Sequence, residues 1–267
     1  KIIELIKACD DWIPDPPRNT DKPFLMAVEH VYEIGSDKKT VVVTGRVDQG
    51  ILKNGTDAEL TGFSPKPKTV KIVGMEMYHK TLDECMPGDS VGVSIVGTGD
   101  TTSLSKDNVE RGMCLAAPGS TKLFNKVKAQ VYVLTKEEGG RHTAFHPHYR
   151  PQLYFRCADI TGDINFPEVE ALTVELNKKY KDKDDLPKKE AELKEFEKKM
   201  MCMPGDNREL IITLAYPMPL EKGLKFAIRE GKITVGCGVI GECLGLDPKV
   251  NIEGAKSTKP VTGKKKQ

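Results

Sequence analysis

The sequence has little excess charge, no long apolar run and no paired cysteine motif, and each shortage disfavours a class of protein. Its 267 residues carry a net charge of only +2, so a basic surface must come from local clustering. No apolar run approaches the length of a membrane span. The seven cysteines are scattered, without a Cys-x-x-Cys pair, which favours reduced thiols in a cytosolic or matrix compartment. Cys202, Cys237 and Cys243 lie in apolar runs and are predicted to be core thiols.

The motifs of several enzyme classes are also missing. The sequence has no Gly-x-x-x-x-Gly-Lys-Ser/Thr loop to cradle nucleotide phosphates, and no Gly-x-Ser-x-Gly or His-Glu-x-x-His motif. His142, His146 and His148 lie in one loop without thiolate support, which argues against a metal site. We therefore predict no catalytic residue and no metal ligand in this chain, and a standalone hydrolase is disfavoured.

The sequence does contain a succession of short strands between Gly, Asn and Pro turns. They are predicted at residues 24–34, 40–47, 70–77, 91–96, 127–133, 211–216, 224–228 and 233–239. The element Met-Pro-Gly-Asp occurs before a strand at 86–89 and again at 203–206, which indicates two units of similar design. This spacing predicts an all-β fold of two antiparallel β-barrels.

Three segments depart from the strand pattern. Residues 2–13 have the period of an amphipathic helix, which prolines at 14, 16 and 17 would end. In the block 175–199, 17 of 25 residues are charged. Asp184, Asp185 and Pro187 favour a helix start there, so we predict a charged helical insertion in the second barrel. It is either a tolerated surface insertion or a docking element. The basic tail, 247–267, is predicted to be disordered.

One segment concentrates cations and aromatic rings. Residues 139–156 read Gly-Gly-Arg-His-Thr-Ala-Phe-His-Pro-His-Tyr-Arg-Pro-Gln-Leu-Tyr-Phe-Arg. They are predicted to form a loop and then a strand with Leu153 and Phe155 on one face. Positive groups beside flat rings suit a phosphate backbone with ribose or bases packed on it. Alternatively, the loop buries two aromatics and leaves its charges in water. The residues alone leave both interpretations open.

The same segment resembles the third-domain signature of the elongation factor Tu family, GTPases that carry aminoacyl-tRNA to the ribosome. Further motifs follow in that family's order, at residues 21–26, 43–47, 74–77, 87–89, 111–112, 203–206 and 223–231. The resemblance covers residues 1 to 245 except a block near 168–200. It implies that 1–20 is the last helix of a GTPase domain with its linker, that 21–117 is the second-domain barrel, and that 118–246 is the third-domain barrel.

The resemblance implies that the first barrel binds the 3′ end of aminoacyl-tRNA. Glu29 and Thr44 match positions that border the aminoacyl ester, where a carboxylate can attract the charged amino group. Glu76 matches the residue that packs on the terminal adenosine. Ser90 belongs to the same pocket but stands where the family usually has Asn, and His79 replaces a common Arg. The fine geometry of the pocket is therefore expected to differ from the family pattern.

The resemblance also implies a surface for the tRNA T stem on the second barrel. Two sets of residues match positions that face the stem: Arg141, His142, Tyr149, Arg150, Gln152 and Thr161, and then Arg229, Glu230 and Gly231. Contacts there go mostly to phosphate and 2′-hydroxyl groups, so they read shape rather than sequence. Tyr216 stands where the family often has Lys, which removes one phosphate contact.

From the resemblance we expect the intact protein to be a GTPase that delivers aminoacyl-tRNA to the ribosomal A site. GTP and Mg²⁺ would bind in a GTPase domain that this sequence lacks, and this chain alone would hold no cofactor and would not be an enzyme. The expected partners are aminoacyl-tRNA, the ribosome and a nucleotide-exchange factor similar to elongation factor Ts, with no membrane. The insertion, the tail and the departures favour a mitochondrial matrix form, with a bacterial or other organellar source as the alternative.

Two other functions compete with this expectation. A specialised relative, such as a selenocysteine-tRNA carrier, is disfavoured by Gly-Gly-Arg-His-Thr at 139–143 and Tyr-Arg-Pro-Gln at 149–152. A ribosome- or protein-binding module without GTPase function is supported by the charged insertion and the basic tail. A carrier should prefer aminoacylated over deacylated tRNA and lose affinity with salt, and a protein-binding module should do neither.

Overall fold

The computed structural model describes residues 1–14, 18–34, 40–98, 104, 108–180 and 186–246. Several predictions fall outside these residues: the helix stop at Pro16 and Pro17, the helix start at Asp184 and Asp185, and the disordered tail. Helix α1 (Ile2–Trp12) is present as predicted and buries none of its residues. Its last turn is followed by Ile13 in an extended conformation, next to Pro14. No helix in the described part of the chain is long and apolar enough to span a bilayer.

The first barrel is formed by short strands between residues 25 and 116. In chain order they are β1 (Leu25–Ala27), β2 (His30–Ile34), β3 (Thr40–Gln49), β4 (Leu52–Lys53), β5 (Asp57–Thr61), β6 (Lys68–Met77), β7 (Lys80–Thr81), β8 (Glu84–Cys85), β9 (Ser90–Gly97) and β10 (Cys114–Ala116). Six of them pair in the order β1-β10-β5-β6-β9-β3, and the pairing of β1 with β3 closes the barrel. The interior is packed with apolar side chains from every second position, such as Val41, Val43 and Val93.

Residues 24–34 form two strands rather than the single predicted one. The chain changes partners between them, because Val28 N–H donates to Met113 O at 2.8 Å and Glu29 N–H donates to Thr44 O at 2.8 Å. Strand β1 therefore pairs with the end of β3, and β2 pairs with its beginning. Alternation of residue types does not record such a change of partner, which depends on contacts distant in sequence.

The second barrel is a closed set of six antiparallel strands. They are β11 (Leu123–Val133), β12 (Gln152–Phe155), β13 (Ala158–Asn165), β14 (Asn207–Pro219), β15 (Lys225–Glu230) and β16 (Ile233–Gly245), paired in the order β11-β14-β13-β12-β15-β16. Leu153 and Phe155 face the core as predicted. Cys202 is a core thiol, but Cys237 is exposed and Cys243 is only half-buried. The core prediction was therefore wrong for Cys237, because it lies on the outward side of β16.

The predicted insertion consists of two helices, α2 (Pro167–Lys179) and α3 (Leu186–Lys199). The apolar stripe Leu193, Phe196 and Met200 packs against the core of the second barrel. On α3, Lys194 lies 3.9 Å from Glu190, and Lys199 lies 3.0 Å from Glu195, the i,i+4 spacing at which side chains of a helix can pair. Lys126 on β11 also pairs with Glu170 on α2 at 2.9 Å. The insertion is therefore docked on the barrel along one face.

The repeated Met-Pro-Gly-Asp element makes the same turn in both barrels. Asp89 Oδ2 accepts from Met86 N–H at 2.8 Å, and Asp206 Oδ2 accepts from Met203 N–H at 2.7 Å. The glycine has a positive φ each time, +99° at Gly88 and +92° at Gly205, a conformation that glycine adopts without strain. In each barrel, this turn leads directly into a long strand.

The two barrels meet at a seam around Arg156, which follows β12. Its side chain is only 12% exposed and reaches Asp48 of the first barrel at 3.0 Å and Glu221 of the second at 2.9 Å. It also donates to Pro219 O at 2.9 Å. Burial raises the pKa of Asp48, although the Arg156 guanidinium favours its charged form. At the same seam, a Cβ on Gly112 would lie 2.6 Å from Ala158 Cβ, so the backbones approach closely.

Candidate functional site

On the first barrel, two of the predicted 3′-end residues lie in one row across three strands. Thr44 on β3 pairs with Gly92 on β9, and Gly92 pairs with Glu76 on β6. Registered partners in a sheet point to the same face, and the neighbours Val43, Val93 and Met75 fill the interior. Thr44, Gly92 and Glu76 therefore form an outward row, which we call the first row.

Gly92 leaves an opening in the middle of the first row. A Cβ at this position would meet only ordinary contacts, at 3.7 Å from Glu76 O and Val42 Cγ1 and 3.8 Å from Thr44 Cγ2. Packing within the protein does not require a glycine there, and its φ is not in the left-handed region. The missing side chain creates a shallow depression between a hydroxyl and a carboxylate. A flat group could lie on this floor.

The other two predicted residues border the first row. Ser90, at the start of β9, pairs with Arg46 and lies exposed on the same outward face. Glu29 is joined to the row by its backbone bond to Thr44 O. Its carboxylate, however, lies 3.9 Å from the Cys157 thiol of the second barrel. The structure thus brings Thr44, Glu76 and Ser90 onto one surface and directs Glu29 toward the seam.

On the second barrel, three of the predicted T-stem residues form an equivalent row. Gln152 on β12 pairs with Thr161 on β13 and with Arg229 on β15, and Gln152 Nε2 donates to Thr161 Oγ1 at 2.9 Å. The Arg229 guanidinium lies over the Tyr154 ring, 5.4 Å from its centroid. We call Thr161, Gln152 and Arg229 the second row. Its groups offer amide, hydroxyl and guanidinium hydrogen bonds to a ligand.

A network at one end of this surface connects three more predicted residues. Arg141 Nη1 donates to the Tyr149 hydroxyl at 2.8 Å and to Glu230 Oε2 at 2.5 Å. The Tyr149 hydroxyl also donates to Glu230, at 3.1 Å. Burial raises the pKa of Tyr149 to about 12, so it remains a neutral donor. Since Glu230 neutralises Arg141, this network holds the loop and contributes little free positive charge.

Arg150 belongs to a separate network that reaches the insertion. Its Nε donates to Asp163 Oδ2 at 3.1 Å, and His148 Nδ1 lies 3.1 Å from the other Asp163 oxygen. On the opposite side, His148 Nε2 lies 3.4 Å from Glu197 of α3. The hydrogen bond to Asp163 raises the pKa of His148 despite its partial burial. Helix α3 is thus connected through His148 and Asp163 to the predicted T-stem loop.

The remaining two predicted residues lie in turns. His142 is exposed in the loop beside Arg141. Gly231, with φ +60°, forms the turn between β15 and β16, where Arg229 Nη2 donates to Lys232 O at 3.2 Å. Of the nine predicted T-stem residues, the structure therefore connects three in a row and three in a network. The roles themselves stay predictions.

Sequence reasoning missed several residues that shape these surfaces. Gly92 could not be identified from the sequence as a site residue, because only the register of β3, β9 and β6 places it between Thr44 and Glu76. Asp163 lies on β13, a strand that was not predicted, yet it orients both His148 and Arg150. Tyr154 is one of the rings of the predicted segment of cations and aromatics, but its contact with Arg229 is revealed only by the pairing of β12 with β15.

The described residues do not contain a group of three or more His, Cys, Asp or Glu side chains arranged to hold a metal ion. Two of the three loop histidines contact different groups: His146 Nδ1 lies 3.0 Å from Met200 O, and His148 lies between Asp163 and Glu197. His142 is exposed. In this part of the chain, both surfaces are built for hydrogen bonding and stacking.

Two barrels of this pairing, joined by a fixed seam, define a module of a translation factor. Two family models match the chain: Elongation factor Tu domain 2 over residues 40–116 and Elongation factor Tu C-terminal domain over residues 120–244. The chain belongs to the elongation factor Tu family and contains its second and C-terminal domains. This confirms the resemblance, and with it a place for the fold in translation.

Proposed function

We propose that this chain supplies the tRNA-binding barrels for GTP-dependent delivery of aminoacyl-tRNA to the ribosomal A site. The observation that carries the proposal is the pair of outward rows, one on each of two barrels from the elongation factor Tu family. In this assignment the first row receives the 3′ end with its aminoacyl group, and the second row receives the T stem.

The chemistry of each row suits its assigned ligand. The opening at Gly92 gives room for a flat base, while Thr44 and Glu76 on either side can form hydrogen bonds to ribose or to an amino group. Around the second row, amide, hydroxyl and guanidinium groups can bond to phosphate oxygens and 2′-hydroxyls, which distinguish RNA by shape. Glu29 would attract the amino group from the seam, although its carboxylate is 3.9 Å from Cys157.

As the resemblance implies, GTP and Mg²⁺ would bind in a GTPase domain, and this chain would supply the barrels that contact the tRNA. The ribosome and an exchange factor similar to elongation factor Ts remain part of the proposal because the resemblance implies them. A mitochondrial matrix location remains part of it because of the insertion, the tail and the departures from the family pattern.

Equilibrium binding to one tRNA in its aminoacylated and deacylated forms tests the proposal. We expect tighter binding of the aminoacylated form, and an affinity that falls with increasing salt because phosphate contacts release counterions. The control for nonspecific charge is Lys71→Ala, which removes an exposed lysine of β6 that belongs to neither row. Equal binding of both forms, or no dependence on salt, would favour the protein-binding module instead.

A further inference from the structure

The β6–β7 hairpin has an unusual turn at the edge of the first row. Met77 pairs with Lys80, so Tyr78 and His79 are the only two residues of the loop. Both have positive φ, +50° and +62°, as a type I′ turn requires. Asn and Gly normally occupy these positions, because a bulky side chain there is strained. The sequence thus accepts strain at two adjacent positions.

At other described positions with positive φ, the residue is a glycine or its side chain has a partner within the protein. The turns at Gly55, Gly88 and Gly205 use glycine for their left-handed residues. Among the described residues, the other bulky side chains at positive φ have partners within the protein. Phe63 packs edge-on against Tyr216, Arg156 forms the seam, and His148 lies between Asp163 and Glu197. His79 has Glu76 at 3.5 Å.

Tyr78 is the exception among these residues. Its side chain is 85% exposed, and it makes no hydrogen bond or ring contact with any residue that the structure describes. Strained conformations persist where something else requires them, and they concentrate at binding sites. Among the described residues, no side-chain partner of Tyr78 accounts for this conformation, and its exposed ring is open to an external ligand.

We propose that Tyr78 is a stacking platform for an unpaired base of the tRNA 3′ end, adjacent to the terminal nucleotide on the first row. The proposal rests on the proposed function. Tyr78 follows Glu76 by two residues. A tRNA 3′ end whose terminal nucleotide lies on the first row would therefore pass close to this hairpin. Exposed aromatic rings bind unpaired bases by stacking, because every base has an apolar face. The contact between His79 and Glu76 joins the turn to the first row at the base of the hairpin.

The test uses the full chain and a tRNA with 2-aminopurine at its penultimate position, whose fluorescence is quenched by stacking. Tyr78→Asn removes the ring and also relieves the turn, since Asn tolerates positive φ. We expect this variant to bind the intact tRNA about tenfold more weakly, about 1.4 kcal/mol, to lose the quenching and to melt no lower than the wild type. Tyr78→Phe should retain both binding and quenching.

A second ligand and a control variant separate the outcomes. With tRNA that lacks its last two nucleotides, wild type and Tyr78→Asn should bind equally. Trp12→Ala, which removes an exposed ring of helix α1, should leave quenching unchanged. Wild-type quenching that survives in Tyr78→Asn, or an equal loss of affinity for intact and trimmed tRNA, would overturn the stacking role. Failure of the wild type to bind either tRNA would overturn the proposed function itself.

Discussion

The two barrels share a turn and a six-stranded closure, but their candidate side chains differ in whether they are hydrogen-bonded within the protein. On the second barrel the side chains hold one another, as in Arg141 with Tyr149 and Glu230, or Gln152 with Thr161. On the first barrel, the hydroxyls of Thr44 and Ser90 have no hydrogen-bond partner among the residues that the structure describes. Paired groups present a fixed shape, whereas unpaired groups in an open depression are available to a ligand.

The largest effect is expected from separating the two barrels. Arg156→Ala removes the guanidinium between Asp48 and Glu221, and hydrogen bonds to charged groups contribute up to about 3 kcal/mol. We expect a loss of about 3 kcal/mol in the free energy of unfolding and two resolved thermal transitions. Calorimetry measures both. Arg46→Ala, an exposed arginine of the first barrel, is the control, and a single unchanged transition in Arg156→Ala would show that the seam is not fixed by this residue.

The difference between the rows can be sharpened by one substitution in each. Gly92→Val fills the opening of the first row and should remove most of the preference for aminoacylated tRNA while the salt dependence stays the same. Arg229→Ala removes from the second row a guanidinium that we propose binds phosphate, so affinity should fall about tenfold and the salt slope by about 1. Filter binding at several salt concentrations measures both. The reverse pattern would exchange the assignments of the rows.

The shared turn predicts equal effects in the two barrels. Asp89→Ala and Asp206→Ala each remove a carboxylate that accepts a backbone N–H, at 2.8 Å and 2.7 Å. Each variant should lose about 1 kcal/mol in the free energy of unfolding, as measured by urea denaturation. A large difference between the two variants would mean that the turns, although alike in geometry, support the barrels unequally.

The smallest effect is the pH dependence of the second barrel. The hydrogen bond from His148 to Asp163 raises the pKa of His148 above 6.5 in the folded state. The bound proton therefore stabilises the fold fully below pH 6.5, and this contribution is lost as the pH rises through the folded-state pKa. Because the side chain is 51% exposed, we expect less than about 1 kcal/mol. Unfolding at pH 5.5 and 8.5 should reveal it, and His148→Asn, which tolerates the same backbone conformation, should abolish it.

Much of the fold could be predicted from local patterns. The two barrels, the helix and the charged insertion follow from strand spacing, a repeated turn and helical periodicity. The prediction fell short where distant contacts decide the structure. Residues 24–34 split at Val28 and Glu29 because the strand changes partners, and Cys237 faces outward because of the register of β16. Strand β13 was missed although Ala158, Ile160 and Ile164 alternate with polar residues and face the core. Gly162 interrupts this alternation, because it takes an inward position without a side chain.

The candidate site divides in the same way. Arg141, Tyr149, Gln152 and Arg229 could be found from residue types and resemblance, since their side chains carry recognisable chemistry. Gly92 and Tyr78 could not, because one matters for a missing side chain and the other for its backbone conformation. Both properties exist only once the strand register and the turn are formed. Sequence patterns therefore identify donors and charges more readily than space and strain.

The close contact between Gly112 and Ala158 affects the distance between the two barrels. A side chain at 112 would collide with the second barrel, so the backbones stand at the smallest separation that they can reach. Because each barrel carries one row, this contact helps to fix the distance between the rows. Under the proposed function, a tRNA that occupies both rows must match that distance, so the span from its T stem to its 3′ end would contribute to recognition.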